Sequence, residues 1–313
     1  MRRPIRSFII FLLALFLVTL PATAQTENKV VGTGTPESCT EQALRDAIDG
    51  GGSISFDCGG GDVTITLTEE LFFQDYDTLI DGGNRITLQP AGPGIRVVYF
   101  RTWGFDAART LVLRNLSITG ASRSGPGEES NGAAIYARSQ AANFEVDIPT
   151  LILQNVTMTN NVSTQTSSSG NGYDFGGGAV YILGGQLTVQ NSTFINNRSD
   201  GGAGGALHGL GSSILIENSS FQDNAATKMS GDTGNSGYGG SLYVDGTLRQ
   251  GERSIQIVGS TFTGNTGENS GGVAYVNLYS DRGSFFSVDS STFLNNTVSN
   301  GQTGWGGALA GGG

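Results

Sequence analysis

The sequence predicts an all-β fold, a right-handed parallel β-helix (a solenoid) with an N-terminal amphipathic helix as its cap. Two observations predict it. A strand-like segment recurs six times after residue 110, and glycine makes up 50 of the 313 residues, more than twice its usual share. A motif that recurs every few dozen residues is typical of solenoids, because each repeat must bury its apolar side chains against its neighbours.

The six repeated segments begin as alternating strands. They are 111–118 (LVLRNLSI), 151–158 (LILQNVTM), 187–194 (LTVQNSTF), 214–221 (ILIENSSF), 255–262 (IQIVGSTF) and 286–293 (FSVDSSTF). Stacking them in register predicts three columns, two apolar and one of asparagine: Leu113, Leu153, Val189, Ile216, Ile257 and Val288; Ile118, Met158, Phe194, Phe221, Phe262 and Phe293; and Asn115, Asn155, Asn191 and Asn218. We expect the first two columns to form the core. The asparagines are expected at turns, with their amides hydrogen-bonded along the stack.

Residues 1–24 are predicted to be a secretory signal peptide. Arg2, Arg3 and Arg6 precede an apolar run at 8–20, and small residues follow at 22–24, which is the pattern that signal peptidase requires. The run is shorter than the roughly 18 residues that span a bilayer. We therefore expect an exported protein with no transmembrane segment in its mature part.

Residues 25–60 are predicted to form the N-terminal cap, which covers the first coil of the stack. Ser38 and Glu41 have the spacing of a capping box, and Gly50 is expected to end the helix. One apolar helix face is predicted from Ala43, Leu44, Ala47 and Ile48.

The chain contains two cysteines, Cys39 and Cys58. An even number in an exported chain predicts one disulfide that closes an N-terminal loop. The alternative is a pair of buried free thiols.

The solenoid is predicted to occupy residues 61–313. Its early strands are expected at 54–56, 63–67, 78–80 and 86–88, with glycine turns at 59–61 and 82–83. Later coils vary in length mainly between an asparagine that ends each strand motif and the next Gly-Gly pair, which predicts insertions on one side of the rod; these asparagines are Asn161, Asn197, Asn224, Asn265 and Asn296. Because the chain stops within a repeat unit, we expect further coils beyond its C-terminus.

Two tetrapeptides alternate in the second half of the chain. Gly-Gly-Ala-hydrophobic or a close variant begins at 177, 204, 239, 271 and 306, and Phe-x-x-Asn begins at 194, 221, 262 and 293. This alternation resembles the polymorphic outer membrane protein repeat family, within the pectate-lyase-like right-handed parallel β-helix superfamily. The resemblance implies a β-helical passenger on the bacterial cell surface with a role in adhesion. Attachment to the outer membrane would need a C-terminal anchor.

Charge and residue types narrow the chemistry. Without the signal peptide the chain has 14 basic and 27 acidic side chains, a net charge of −13, which argues against nucleic acid as a partner. The acidic residues of the repeats occur singly, and the lone histidine, His208, follows a leucine beside a Gly-Gly turn, where a structural or a solvent-facing position is expected. The sequence therefore predicts no catalytic residue, no metal site and no cofactor.

Aromatic residues next to the insertions are the candidate ligand-binding residues: Tyr173, Phe175, Tyr238 and Trp305. Exposed rings beside polar side chains are typical of sugar-binding faces, although these rings could instead fold over the rod and seal it. The leading hypothesis is an adhesin-like secreted or cell-surface protein that binds a carbohydrate or a cell-surface protein. The alternatives are a polysaccharide lyase or glycoside hydrolase and a passive cell-envelope spacer.

Overall fold

The computed structural model describes residues 28–103, 108–140, 148–167, 172–231, 236–249, 251, 253–279, 283–299 and 305–312. The predicted signal peptide, 1–24, lies outside these residues. Every strand pairing among them is parallel, and the strands form three sheets that run along a solenoid. The predicted parallel β-helix is confirmed.

Sheet 1 is the longest and contains 14 strands. It carries the six repeated segments, which from the third segment (187–194) onward divide into a five-residue and a three-residue strand. Its strands are Asn28–Val31, Gly52–Phe56, Val63–Leu67, Thr78–Pro90, Arg109–Thr119, Pro149–Thr159, Gln186–Gln190, Thr193–Ile195, Ser213–Glu217, Ser220–Gln222, Ser254–Val258, Thr261–Thr263, Phe285–Asp289 and Thr292–Leu294.

Sheets 2 and 3 complete each coil. Sheet 2 has six short strands: Ser122–Gly125, Val162–Gln165, Arg198–Asp200, Ala225–Thr227, Thr266–Gly267 and Thr297–Val298. Sheet 3 has eight: Leu71–Phe73, Val98–Thr102, Ile135–Ser139, Val180–Leu183, Leu207–Leu210, Leu242–Asp245, Ala274–Asn277 and Leu309–Gly312. The two longest connections between strands of the solenoid, 166–179 and 228–241, both run from sheet 2 to sheet 3.

Both predicted apolar columns are present in sheet 1. The strand register pairs Leu113 with Leu153 and continues in steps to Val288. The second column runs from Ile118 to Phe293, and its four phenylalanine rings stack with centroids 4.7–5.2 Å apart. Strand alternation places one face of each segment inside the coil, and stacking at about 4.8 Å makes these faces continuous.

The predicted asparagine column is a row of backbone irregularities: Asn115 and Asn155 lie within strands of sheet 1, and Asn191 and Asn218 come directly after strands. Asn115, Asn155, Asn191 and Asn218 all have φ near +50°, which asparagine tolerates better than most residues. Asn155 Nδ2 donates to Asn115 Oδ1 at 2.8 Å. Among the described residues, no hydrogen bond between side-chain amides continues the row to Asn191. The amides therefore link only part of this column.

A continuous amide ladder lies instead at the asparagines that end the Phe-x-x-Asn motifs and their counterpart at 161. Each Nδ2 donates to the next Oδ1 at 2.9–3.0 Å, along Asn161, Asn197, Asn224, Asn265 and Asn296. The first four side chains are buried. Buried amides need partners for both their N–H and C=O groups, and the ladder supplies both.

The cap contains the helix Glu41–Ile48, whose buried residues are Leu44 and Ala47. The predicted capping box of Ser38 and Glu41 is wrong. Thr40 is the N-cap and accepts from Ala43 N at 3.1 Å. The 3₁₀ turn Pro36–Ser38 delays the start of the helix, so Ser38 bonds to the Thr33 N–H and Thr35 O within the preceding loop.

The cap also contains the predicted disulfide, between Cys39 and Cys58, whose Cα atoms are 5.6 Å apart. It joins a residue two positions before the helix to a residue two positions after the strand Gly52–Phe56. The predicted glycine turn at 82–83 differs from the structure, where Thr78–Pro90 is one strand with a register shift between Asp81 and Ile86. Gly83 and Asn84 absorb the irregularity with positive φ.

In the described part of the chain, no helix is long and apolar enough to cross a membrane. Two further 3₁₀ turns, Gly127–Ser130 and Gly172–Asp174, lie in the connections from sheet 2 to sheet 3.

Candidate ligand-binding site

A row of rings follows the outer face of sheet 3. The register places seven residues at equivalent positions, and neighbouring rings have centroids 4.4–5.8 Å apart; they are Phe72, Tyr99, Tyr136, Tyr181, His208, Tyr243 and Tyr275. This row is not among the predicted site residues, although its pattern is present in the sequence: a ring follows four successive Gly-Gly tetrapeptides, at 181, 208, 243 and 275.

The middle of this row is closed to solvent. Tyr181 and His208 are buried, and Tyr181 Oη donates to the Asp174 carbonyl oxygen at 2.6 Å. Burial lowers the pKa of His208 to about 3, so the imidazole is neutral at pH 7. Its Nδ1 lies 3.2 Å from the Ala203 carbonyl oxygen. The predicted structural role of His208 agrees with this position between Tyr181 and Tyr243.

The row opens at its C-terminal end into a cavity of about 310 Å³, here named the tyrosine pocket. Its lining residues in the described part of the chain are Tyr173, Tyr238, Tyr243, Asp245, Tyr275, Asn277 and Tyr279. Sheet 3 contributes four of them. Tyr173 and Tyr238 come from the two long insertions between sheets 2 and 3, and Tyr279 follows the strand that ends at Asn277.

The rings of the pocket contact one another at varied angles. Tyr243 and Tyr275 lie nearly parallel with centroids 5.8 Å apart, as expected for neighbours on parallel strands. Tyr238 packs edge-on against Tyr275 at 4.9 Å, and Tyr173 packs edge-on against Tyr238 at 6.2 Å. Aromatic pairs prefer such arrangements. Ring contacts therefore hold Tyr173 and Tyr238 against sheet 3.

Asp245 supplies the charged group of the pocket. Its Oδ1 accepts hydrogen bonds from Asn277 Nδ2 and from Tyr279 Oη, each at 3.0 Å. Gly246 leaves room for the Tyr279 ring, because a Cβ at this position would lie 2.8 Å from a ring atom of Tyr279. Burial, with the charges of Asp174 and Asp245, raises the pKa of Tyr173 and of Tyr243. The phenols stay neutral, and the described lining of the pocket contains one acidic side chain, Asp245.

The opposite end of the ring row is basic. The Arg101 guanidinium lies 5.2 Å from the Phe72 ring centroid and 5.6 Å from the Trp103 ring centroid. Phe72 and Trp103 are both exposed. From Tyr99 to Tyr275 the row spans five coil steps, or about 24 Å at strand spacing.

The structure brings together two of the four predicted ligand-binding residues. Tyr173 and Tyr238 line the pocket, whereas Phe175 and Trp305 make no ring contact within the described residues. Phe175 is half-buried, and its carbonyl oxygen accepts from Ala203 N at 2.9 Å. Trp305 is 75% exposed, and its amide donates to Ser270 Oγ at 3.3 Å. The backbone places Trp305 two coils beyond Tyr238, with Ser270 between them.

Among the described residues, no group of three or more histidine, cysteine or acidic side chains could hold a metal ion. No protein-family model, no curated protein and no solved structure matches the chain. The resemblance to the polymorphic outer membrane protein repeat therefore rests on the alternating tetrapeptides alone.

Proposed function

We propose that this chain is an exported β-helical rod that binds a carbohydrate in the tyrosine pocket, as an adhesin-like surface or secreted protein. The observation that carries the proposal is the convergence of five tyrosine rings with a carboxylate and an amide around one open cavity. Sugar rings pack their apolar faces on aromatic rings, while polar neighbours take the hydroxyl groups.

The pocket is well suited to binding because its parts are held before any ligand arrives. Two of its tyrosines lie on adjacent strands of sheet 3, and the Asp245 carboxylate is oriented by two hydrogen bonds. Rigid groups lose little conformational entropy on binding. Tyrosine is also a low-entropy contact residue, since it has only two side-chain torsions.

Export is supported by two features. The N-terminal sequence has the pattern of a signal peptide, and the Cys39–Cys58 disulfide is of the kind that persists in oxidising compartments. The resemblance to the polymorphic outer membrane protein repeat family favours a bacterial cell surface as the destination.

The arrangement favours binding over hydrolysis. Glycoside hydrolases use two carboxyl groups about 5–9.5 Å apart, and the described lining of the pocket contains one, Asp245. His208 is buried and neutral.

A glycan array probed with residues 25–313 tests the proposal, with titration calorimetry on each bound glycan and turnover followed on the same samples. We expect binding without cleavage and at least a tenfold loss of affinity in Tyr275→Leu and Tyr238→Ala, because stacking on rings supplies much of the contact. Trp305→Ala is the matched control and should bind normally. Cleavage of a bound glycan, or equal binding by all variants, would overturn the proposal.

A further inference from the structure

We infer that the saccharide bound in the tyrosine pocket carries a positive charge, as the ammonium group of an amino sugar does. This inference rests on the proposed function and adds the chemical class of the ligand. It follows from the charge of the residues that line the pocket, the remaining acceptor capacity of the Asp245 carboxylate and the geometry of the rings.

The charged side chain among the described lining residues of the pocket is acidic. None of these lining residues is basic, and Asp245 is the one carboxylate among them. Asp174 and Asp245 both act on the Tyr173 and Tyr243 phenols. A uronic acid or a sulfated sugar would meet like charge here, whereas a cation would be attracted.

Asp245 keeps part of its acceptor capacity. Its two hydrogen bonds from described residues come from the Asn277 side-chain amide and the Tyr279 phenol, and both end on Oδ1. These donors orient the carboxylate. A carboxylate offers about four lone-pair positions, so Oδ2 can accept a charge-assisted hydrogen bond from an ammonium group.

The rings supply the second attraction. A cation within about 6 Å of an aromatic centroid is attracted to the face of the ring. Tyr173, Tyr238 and Tyr243 form a triangle with centroids 6.2–6.5 Å apart, and Tyr275 lies against two of them. An ammonium group that enters the pocket beside this cluster can therefore lie within that distance of more than one ring. The raised pKa values of Tyr173 and Tyr243 keep these phenols protonated at neutral pH.

The basic end of the same ring row provides a contrast within the molecule. There a cation, Arg101, already lies beside Phe72 and Trp103, so a sugar that binds these rings would gain from a negative group. The two ends of sheet 3 thus differ in the sign of the ligand charge that they favour.

Calorimetry of residues 25–313 with two tetrasaccharides of equal length tests the inference: glucosamine, with free amines, and its N-acetylated counterpart, at pH 6. We expect the amine form to bind at least tenfold tighter, because only the protonated amine gains the charge-assisted bond to Asp245. Asp245→Asn should abolish the preference. Tetramethylammonium chloride should compete, whereas sodium chloride at the same ionic strength should compete less.

Asp289→Asn is the matched control for general attraction to an acidic protein. Asp289 lies on the exposed outer side of sheet 1, so its removal takes away the same charge far from the pocket. A preference lost equally in Asp289→Asn and Asp245→Asn would overturn the inference. Equal affinity for the two tetrasaccharides, both reduced by Tyr275→Leu, would overturn the inference and leave the carbohydrate function standing.

Two outcomes concern the proposed function itself. Binding of tetramethylammonium at the tyrosines with no glycan bound would support a cationic ligand and overturn the carbohydrate function. The absence of any binding would overturn both.

Discussion

Asn224 bonds twice to Asn265 on the next coil. Its backbone N–H and its side-chain Nδ2 both donate to Asn265 Oδ1, each at 3.0 Å. The same Nδ2 also donates to the Phe194 carbonyl oxygen at 3.0 Å. The pattern repeats in the neighbouring coils, so each buried asparagine joins the turn of its own coil to the coils on either side.

Asn224→Ala is expected to destabilise the solenoid by about 3 kcal/mol. The change leaves the Asn197 N–H and the Phe194 carbonyl without their partners, and each unsatisfied buried group costs about 1–3 kcal/mol. Urea unfolding followed by circular dichroism measures the loss. Asn196→Gly is the control, because Asn196 is exposed with φ of 59° and glycine tolerates that conformation. A loss below about 1 kcal/mol in Asn224→Ala would contradict a structural role for the ladder.

Phe221→Ala is expected to cost about 3–5 kcal/mol in the same assay, as large-to-small changes in cores do. Phe221 is buried between Phe194 and Phe262, with ring centroids 4.7 and 4.8 Å away. The cavity would lie in the middle of a continuous column. Phe285→Ala, at an exposed position, should change stability by no more than about 0.5 kcal/mol. Similar losses in the two variants would show that the column does not stabilise the rod.

His208 is expected to make stability depend on pH between about 6.5 and 3. Its pKa is about 3 in the folded chain and about 6.5 when unfolded, so the unfolded state takes up the proton first. The contribution of the neutral imidazole to the free energy of unfolding is complete above about pH 6.5 and is lost as the pH falls. At pH 4 the loss is on the order of 3 kcal/mol.

His208→Phe removes the titrating group and keeps a ring between Tyr181 and Tyr243. Its unfolding free energy should therefore fall less than that of the parent chain between pH 7 and pH 4, while the carboxylates contribute equally to both. Parallel pH profiles for the two proteins would contradict the burial of a neutral imidazole.

Reduction of the Cys39–Cys58 disulfide is expected to destabilise the chain by about 3 kcal/mol, since the bond closes a loop with a sequence separation of 19. Thermal unfolding with and without dithiothreitol measures this effect. The double variant Cys39→Ser with Cys58→Ser should resemble the reduced protein and show no response to the reductant. An unchanged melting temperature on reduction would mean that the cap contributes little to the stack.

The sequence predicted the stacking of the coils in detail, because alternation and repetition are local properties. The pairing of Phe194 with Phe221 and of Val189 with Ile216 follows from the aligned motifs. The helix start was mistaken by two residues, because Ser38 and Thr40 are both good N-caps and only the turn before the helix selects between them. The sequence predicts an amide ladder in the column of Asn115, whereas the continuous ladder lies in the column of Asn197. Both columns contain asparagine, and only burial in the folded chain distinguishes them.

The sequence by itself determined the solenoid, its apolar columns and the helix near its N-terminus. Only the tertiary structure decided which rings meet. Tyr173 and Tyr279 are more than one hundred residues apart in the chain, and they line one pocket because each contacts sheet 3: the Tyr173 ring lies near the Tyr243 ring, and Tyr279 Oη donates to Asp245 Oδ1. Local periodicity sets the direction of a strand side chain, whereas the path of an insertion depends on the surface against which it packs.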